Sequence, residues 1–178
     1  NVMNGGSTLV NVLAGTLTVN QGSLTINQDT TFNNTTTLVS GATNVKMAAW
    51  KITSYGEDVK ITSLTVTPTF ASGASTTLQN VGLYVNGGQV GSNQSSVTTA
   101  TNFSFNSLGT NLLIPAGQTV VVEIRGDVTS NNVAVNSGTV KFDLVTGSSN
   151  AQGMTSFNTI NTSSANGQSL SIASSNIT

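Results

Sequence analysis

Histidine and cysteine are absent from this 178-residue chain, and only 6% of its residues are charged. These absences exclude thiolate and imidazole metal sites and the nucleophile–base pairs that depend on Cys or His. Five Lys and Arg residues are too few for a basic stripe, so nucleic acid and anionic membrane surfaces are not expected partners. No apolar run approaches the roughly 18 residues of a membrane-spanning helix. We therefore expect a protein that is not an enzyme, has no cofactor and does not span a membrane.

Thr, Ser, Asn, Val and Gly dominate the residues that are present. Disordered chains usually combine low hydrophobicity with high net charge and many prolines, whereas this chain has a net charge of −1 and two prolines. Its many β-branched residues favour sheet. The chain begins at Asn1 rather than Met and shows no signal peptide, so we interpret it as a mature or trimmed product. We expect an extracellular or cell-surface location, where the lack of free thiols is an advantage.

Short runs of Val, Ile, Thr and Leu alternate with Gly, Asn and Ser clusters, a spacing typical of an all-β sandwich or barrel. The apolar residues of Val59–Thr67 change parity part of the way along, which predicts a β-bulge near Thr62–Ser63. Asn86-Gly87 predicts a type I′ hairpin turn. The stretch Ser148–Ser164 is interpreted as a polar loop or an O-glycosylated segment. The predicted strands are Thr8–Val12, Gly15–Asn20, Ser23–Asn27, Thr36–Val39, Val45–Thr53, Val59–Thr67, Asn80–Val85, Gln89–Gly91, Asn102–Phe105, Thr119–Arg125, Thr139–Val145 and Ser169–Ala173.

The predicted core consists of the apolar residues that share one parity on these strands, between about Val45 and Val145. They are numerous enough to fill one sandwich. The predicted core residues are Met47, Trp50, Ile52, Ile61, Leu64, Val66, Leu83, Phe103, Phe105, Ile114, Val120, Val122, Ile124, Val140, Phe142 and Leu144.

The sequence divides into an N-terminal strand segment, residues 1–35, and a β-sandwich domain, residues 36–178. The first 28 residues carry no charge, and two pieces resemble each other: Gly15–Gln21 and Gly22–Gln28. They are either ordinary strands of the same domain or include a donor strand that docks on a neighbouring subunit. In the second case, the residues that fill the neighbour's groove are Leu9, Val10, Val12, Leu17 and Val19.

A more specific pattern extends from about Ser40 to Asp127. It includes Met47-Ala48-Ala49-Trp50-Lys51-Ile52-Thr53 and the segment Leu113-Ile114-Pro115-Ala116-Gly117-Gln118-Thr119-Val120, which continues to Gly126-Asp127. This pattern resembles the Ig-like β-sandwich modules found in tandem in long bacterial surface proteins. The resemblance implies an Ig-like or jelly-roll-like antiparallel sandwich and a structural role at the surface, and it brings no catalytic residues. Unlike those tandem proteins, this chain shows a single module after an extended segment, which points to assembly from separate subunits.

Few residues are candidates for site chemistry. Glu57-Asp58 is the only acidic pair. Either it supplies ligands for a hard cation such as Ca²⁺, together with loop carbonyls, or it is part of a solvated turn. We favour the turn and expect no metal. Glu123 and Asp127 flank Arg125 and are interpreted as a surface charge set near a strand end.

Three aromatic residues are scattered along the sequence. Trp50 has the apolar parity of its strand and is assigned to the core, while Tyr55 and Tyr84 lie near turns and are candidates for a sugar-stacking surface. Among the Asn-X-Ser/Thr triplets, Asn34 and Asn93 fall in predicted loops and are the candidate glycosylation sites.

Two functions fit these observations. The first is a structural subunit of an extracellular filament or surface layer, a homopolymer built by β-strand addition (donor-strand complementation) between subunits. The alternative is an adhesin or carbohydrate-binding module of a cell-surface protein, whose partners are surface glycans. An exposed aromatic platform favours the second.

Overall fold

The computed structural model describes residues 21–32, 35–71, 78–97, 99–129 and 138–173. These residues form strands and no helix, so none of them belongs to an apolar helix of membrane-spanning length. The strands are β1 (Ser23–Gln28), β2 (Thr37–Val39), β3 (Val45–Tyr55), β4 (Val59–Ile61), β5 (Leu64–Ala71), β6 (Leu78–Val85), β7 (Gly88–Val97), β8 (Phe103–Phe105), β9 (Leu113–Ile114), β10 (Thr119–Val128), β11 (Gly138–Leu144), β12 (Ala151–Gly153), β13 (Thr159–Ile160) and β14 (Ser169–Ala173).

The strands form three sheets. Sheet A has the order β1-β3-β10-β6-β7, sheet B the order β2-β14-β11-β5-β8, and sheet C the order β13-β12-β4-β9. Every pair is antiparallel except β14 with β2. Buried residues from all three sheets form one hydrophobic cluster. The predicted all-β sandwich class is therefore confirmed.

The core lies between the sheets, and the predicted core residues are buried, with one exception. Phe103 is only partly buried, and its ring packs edge-on against Phe105 and Phe142, with centroids 5.4 and 6.4 Å away. Each fully buried aliphatic or aromatic side chain contributes roughly 1.5–3 kcal/mol through lost apolar surface. The core also extends beyond the predicted limits of Val45 and Val145, to Ile26, Leu38, Leu170 and Ile172.

The parity change in Val59–Thr67 is a change of sheet, so the predicted β-bulge is wrong. β4 ends at Ile61 in sheet C, and β5 begins at Leu64 in sheet B. Between them, the backbone N–H and hydroxyl of Thr62 both donate to the carbonyl of Asn150, at 2.8 and 2.9 Å. These bonds satisfy the backbone where it leaves one ladder for the other.

β1 lies inside the predicted N-terminal segment 1–35, yet it is a strand of sheet A. It pairs with β3 from Ser23↔Tyr55 to Gln28↔Trp50. Residues 1–20 lie outside the described part of the chain. They include the predicted strands Thr8–Val12 and Gly15–Asn20 and the predicted interface residues Leu9, Val10, Val12, Leu17 and Val19. In the donor-strand hypothesis, the part of the predicted segment 1–35 that remains available as a donor is the part that precedes β1.

The described chain starts and finishes at opposite ends of the sandwich. β1 begins at Ser23, opposite Tyr55, and that end of β3 pairs with the first residues of β10. β14 ends at Ala173, and the carbonyl of Ala173 accepts the N–H of Ser40. The N–H of Gly41 donates to the carbonyl of Val128, the last residue of β10, so β14 and β10 end on the same side of the sandwich. We call the end of the sandwich where β1 begins the entry end, and the end where β14 stops the exit end. The ten residues of β10 separate them by about 33 Å.

Candidate functional site

The acidic turn between β3 and β4 contains a buried carboxylate. Glu57 is 6% exposed. Its Oε1 accepts the N–H of Gly22 at 2.8 Å and the hydroxyl of Ser156 at 2.5 Å, and its Oε2 accepts the N–H groups of Thr155 and Ser156 at 2.6 and 2.8 Å. Hydrogen bonds from the Ser156 hydroxyl and N–H, with smaller contributions from Thr155 and Gly22, lower the pKa of Glu57 to about 2 against the opposing effect of burial. Glu57 is therefore ionised at neutral pH.

Glu57 connects the start of β1 to the loop between β12 and β13. A Cβ atom at Gly22 or Gly153 would overlap the Glu57 side chain, so both positions require glycine while this carboxylate is in place. The neighbouring Asp58 is exposed, and its Oδ1 accepts the N–H of Ala116 at 2.8 Å. Among the described residues, no three His, Cys, Asp or Glu side chains come together as a metal site. In this arrangement Glu57 is a structural anchor.

The predicted surface charge set on β10 is instead an ion cluster around the buried carboxylate of Glu123, which is 6% exposed, with partly exposed cationic partners. Its carboxylate lies 2.5 Å from Lys46 Nζ and 2.6 Å from Arg125 Nη2. Burial raises the pKa of Glu123, but the bonds and charges of Lys46 and Arg125 outweigh it, so the net shift is downward. The interpretation as a surface set is therefore wrong for Glu123, while Asp127 lies apart and bonds to Asn44 and Asn80.

The aromatic residues do not form one stacking platform. Trp50 is fully buried, as predicted, and its Nε1 donates to the Asn166 carbonyl at 3.0 Å. Tyr55 is 49% exposed on β3, whereas Tyr84 lies on β6, on the other side of β10, with the Arg125 guanidinium 5.1 Å from its ring centre.

Of the two candidate glycosylation sites, Asn34 lies outside the described residues and Asn93 lies on β7 rather than in a loop. Asn93 is exposed, and its side-chain oxygen accepts a hydrogen bond from Gln89 at 2.9 Å. A glycan at Asn93 would therefore stand on an edge strand and compete with any strand that adds there.

The side of the sandwich formed by β7 and β8 is open. β7 is the edge of sheet A and β8 the edge of sheet B, and each pairs with one strand among the described residues. Between them lies a groove of about 330 Å³, lined by Gly91, Ser92 and Gln94 from β7 and by residues 104–107. We call this groove and its two flanking strands the seam.

The two edges of the seam differ in regularity. The register between β6 and β7 shifts between Val81 and Leu83, and Gly91 in this part of β7 has a φ of +70°. β8 pairs with β5 without interruption, from Leu64↔Phe105 to Val66↔Phe103. Since an edge bulge hinders the addition of another strand, β8 is the more regular edge of the seam.

Sequence reasoning missed the seam as a site. It placed β7 at Gln89–Gly91, whereas the strand extends to Val97, because Ser, Asn and Gln are not typical strand residues. One signal for the site was present in the sequence: no charged residue occurs between Lys60 and Glu123.

Comparison with protein-family models, with curated proteins and with solved structures gives no match for this chain.

Proposed function

We propose that this protein is a structural subunit of an extracellular filament or surface layer, without enzymatic activity. Subunits polymerise when the N-terminal segment of one adds as a β-strand to the next. The observation that carries the proposal is that the described chain enters and leaves at opposite ends of the sandwich. Residues 1–20 are attached at the entry end, and in an extended form they would reach up to about 66–72 Å.

A contact of this kind is heterologous, because the donor segment and the acceptor edge are different surfaces. Repeated head to tail, it produces an open filament instead of a closed ring or dimer. Backbone hydrogen bonds would hold the added strand, and the predicted interface residues Leu9, Val10, Val12, Leu17 and Val19 would fill the acceptor. Each of these aliphatic side chains would contribute roughly 1.5–3 kcal/mol on full burial.

Deletion of residues 1–20 tests the proposal. The shortened protein is expected to keep a β-sheet circular dichroism spectrum and to be monomeric in sedimentation, whereas the full chain forms polymers visible by electron microscopy. A synthetic peptide of residues 1–20 should bind the shortened protein. A control peptide with Asn at the five interface positions should not.

Two results would reject donor-strand assembly. Polymers formed by the shortened protein would show that residues 1–20 are not the connection. An unfolded shortened protein would show that these residues belong to their own sandwich.

The alternative function, an adhesin or carbohydrate-binding module, is favoured by one observation. Phe157 is 68% exposed, with a φ of +57°, in the loop that Glu57 anchors between β12 and β13. An exposed aromatic ring on an anchored loop is a suitable stacking surface for a sugar. Binding to an oligosaccharide array that is lost in Phe157→Ala would favour this function, and an array without binding would reject it.

A further inference from the structure

We infer that the seam is the acceptor for the N-terminal segment of the neighbouring copy, and that the incoming strand pairs antiparallel with β8. This inference rests on the proposed function, which it makes more specific. Three features of the described residues carry it: the distribution of charge, the length of the free edges, and the direction of the strands.

Charge is distributed unevenly over the sandwich. The chain has no charged residue before Asp29 and none between Lys60 and Glu123, so β5, β6, β7, β8 and β9 carry no charge. β1, the opposite edge of sheet A, carries no charge itself, but its partner β3 contains Lys51, whose ammonium lies 2.9 Å from the buried carboxylate of Asp29 just after β1. Proteins commonly protect edge strands with charged side chains; at the seam, neither the edge strands β7 and β8 nor their partners β6 and β5 carry a charge.

The donor segment and the seam therefore match in polarity. Both consist of uncharged residues, and the cores of protein interfaces are depleted in charge because desolvating a charge is costly. Burying residues 1–20 against β8 desolvates no ionised side chain of either partner strand.

The seam also contains β7, the longest edge strand among the described residues. β7 has ten residues and β8, the strand with which the donor pairs, has three; β1 has six, β2 has three, and the edge strands of sheet C, β9 and β13, have two each. Ser92, Ser104 and Ser107 contribute small side chains to the groove wall. The groove of about 330 Å³ thus leaves room for side chains from an added strand.

Strand direction decides how the donor lies. In a head-to-tail array, the entry end of one subunit faces the exit end of the next, so the donor reaches its neighbour's seam from the exit end. The donor residues nearest Gln21 lie at the neighbour's exit end, and the residues nearest Asn1 lie towards the neighbour's entry end. Read from residue 1 to residue 20, the donor therefore runs along the seam from the neighbour's entry end to its exit end. β7 runs the same way, because Val97 pairs with Leu78, which pairs with Val128 at the exit end.

β8 runs the other way. It is antiparallel to β5, whose last residue, Ala71, pairs with Thr139 at the exit end of sheet B. The donor is therefore antiparallel to β8 and parallel to β7. Antiparallel pairs are the commoner kind, and β7 is bulged whereas β8 is regular. Both facts favour extension of sheet B beyond β8.

Cysteine cross-linking in the full chain tests the inference, because the chain has no cysteine of its own. One variant combines Thr18→Cys in the donor with Ser104→Cys in the seam, and a second combines Thr16→Cys with Ser104→Cys to cover the other register. The matched control combines Thr18→Cys with Thr25→Cys, an exposed position on the β1 edge. A disulfide requires Cα atoms within about 7 Å, so only residues in adjacent positions will join.

Oxidation of at least one Ser104 variant should give a ladder of covalent oligomers on denaturing gels, and the control should give none. A ladder from the Thr25 control, an intrachain link from Ser104, or no link from either variant would overturn the inference. If the full chain forms polymers that require residues 1–20 and yet gives one of these results, the proposed function stands and only the acceptor is misplaced. If the full chain forms no polymers, both fail.

Charge placed at the seam gives an independent measurement. Ser104→Lys should raise the critical concentration for polymerisation by more than about tenfold, because an added strand would bury the ammonium. Thr25→Lys, with the same change on the other edge, should leave it unchanged. Circular dichroism identifies any loss of folding, and equal critical concentrations in two folded variants would contradict the inference.

Discussion

Gln168 extends the hydrogen-bond ladder of β3 beyond the point where β1 ends. Its side-chain oxygen accepts the N–H of Ala49 at 3.0 Å, and its nitrogen donates to the carbonyls of Asp29 and Ala49 at 2.9 and 3.2 Å. The side chain is 1% exposed. The side-chain amide of Gln168 thus takes the place of a strand residue that would pair with β3. It also links sheet A to the segment that leads into β14.

Replacing Gln168 by Met keeps the volume but removes these hydrogen bonds. The Ala49 N–H and the Asp29 carbonyl would then be buried without these partners, which should lower the free energy of unfolding by about 1–3 kcal/mol. Urea denaturation measures the change. Gln118→Met, at an exposed position, is the matched control and should change stability by less than about 0.5 kcal/mol. Equal effects in the two variants would contradict the role of Gln168.

Glu57 makes stability depend on pH. Its pKa in the folded protein is about 2, below the ordinary value of 4.5, so its stabilisation is fully present above about pH 4.5 and is lost as the pH falls towards 2. The thermal unfolding midpoint should therefore fall over this range. In Glu57→Gln the midpoint should be lower at pH 7, because the amide places its N–H groups against the N–H groups that donate to Glu57. The midpoint should also depend less on pH, because the amide does not titrate.

Asp58→Asn is the control for this prediction, because it changes the adjacent carboxylate, which is exposed and bonds only to Ala116 among the described contacts. It should retain the pH dependence of the unmodified protein. A Glu57→Gln variant with an unchanged midpoint at pH 7 would show that the anchor contributes little.

At the scale of strands, the sequence predicted the elements with strong apolar alternation. β3, β10, β11 and β14 lie within two to three residues of their predicted limits. Short strands rich in polar residues were missed, including β12 and β13 inside the predicted polar loop Ser148–Ser164. These strands are defined by their partner, since β12 pairs with β4, and local sequence carries little information on such pairing. The burial of Glu57 and Glu123 was missed for the same reason, because the partners of Glu57 are distant in sequence and Lys46, one partner of Glu123, lies on another strand.

The loop between β12 and β13 holds Phe157 in the left-handed region, with a φ of +57°. This conformation costs L-residues roughly 1–2 kcal/mol and is easier for Asn. Since 68% of the Phe157 side chain is exposed, its replacement removes little packing. Phe157→Asn should raise the free energy of unfolding by about 1 kcal/mol. Met154→Asn, in the same loop but without a positive φ, should give no gain, and a similar gain there would contradict the explanation.

At the scale of the whole molecule, the uncharged seam and donor segment would make the proposed assembly independent of ionic strength. Salt screens interactions between exposed charges, and neither surface carries any. The critical concentration for polymerisation should therefore change by less than about twofold between about 0.05 and 0.5 M NaCl, as measured by sedimentation of the polymer. A steep increase with salt would show that a charged surface, on β3 and β10 of sheet A or on β11 of sheet B, makes the contact instead.

The opposite placement of the two described ends also determines how the molecule responds to mechanical force. Tension applied at Ser23 and Ala173 acts along the strand direction. It would slide β1 along β3, and β14 along β11 and β2, so the hydrogen bonds of each ladder would bear the load together. Peeling β1 away from its free edge would break the same bonds one pair at a time. In a fibre assembled through the seam, the load would enter each subunit at Ser23 and at β8, so stretching along the axis would shear β1 against β3 and β8 against β5, and pulling the strands sideways would peel them apart.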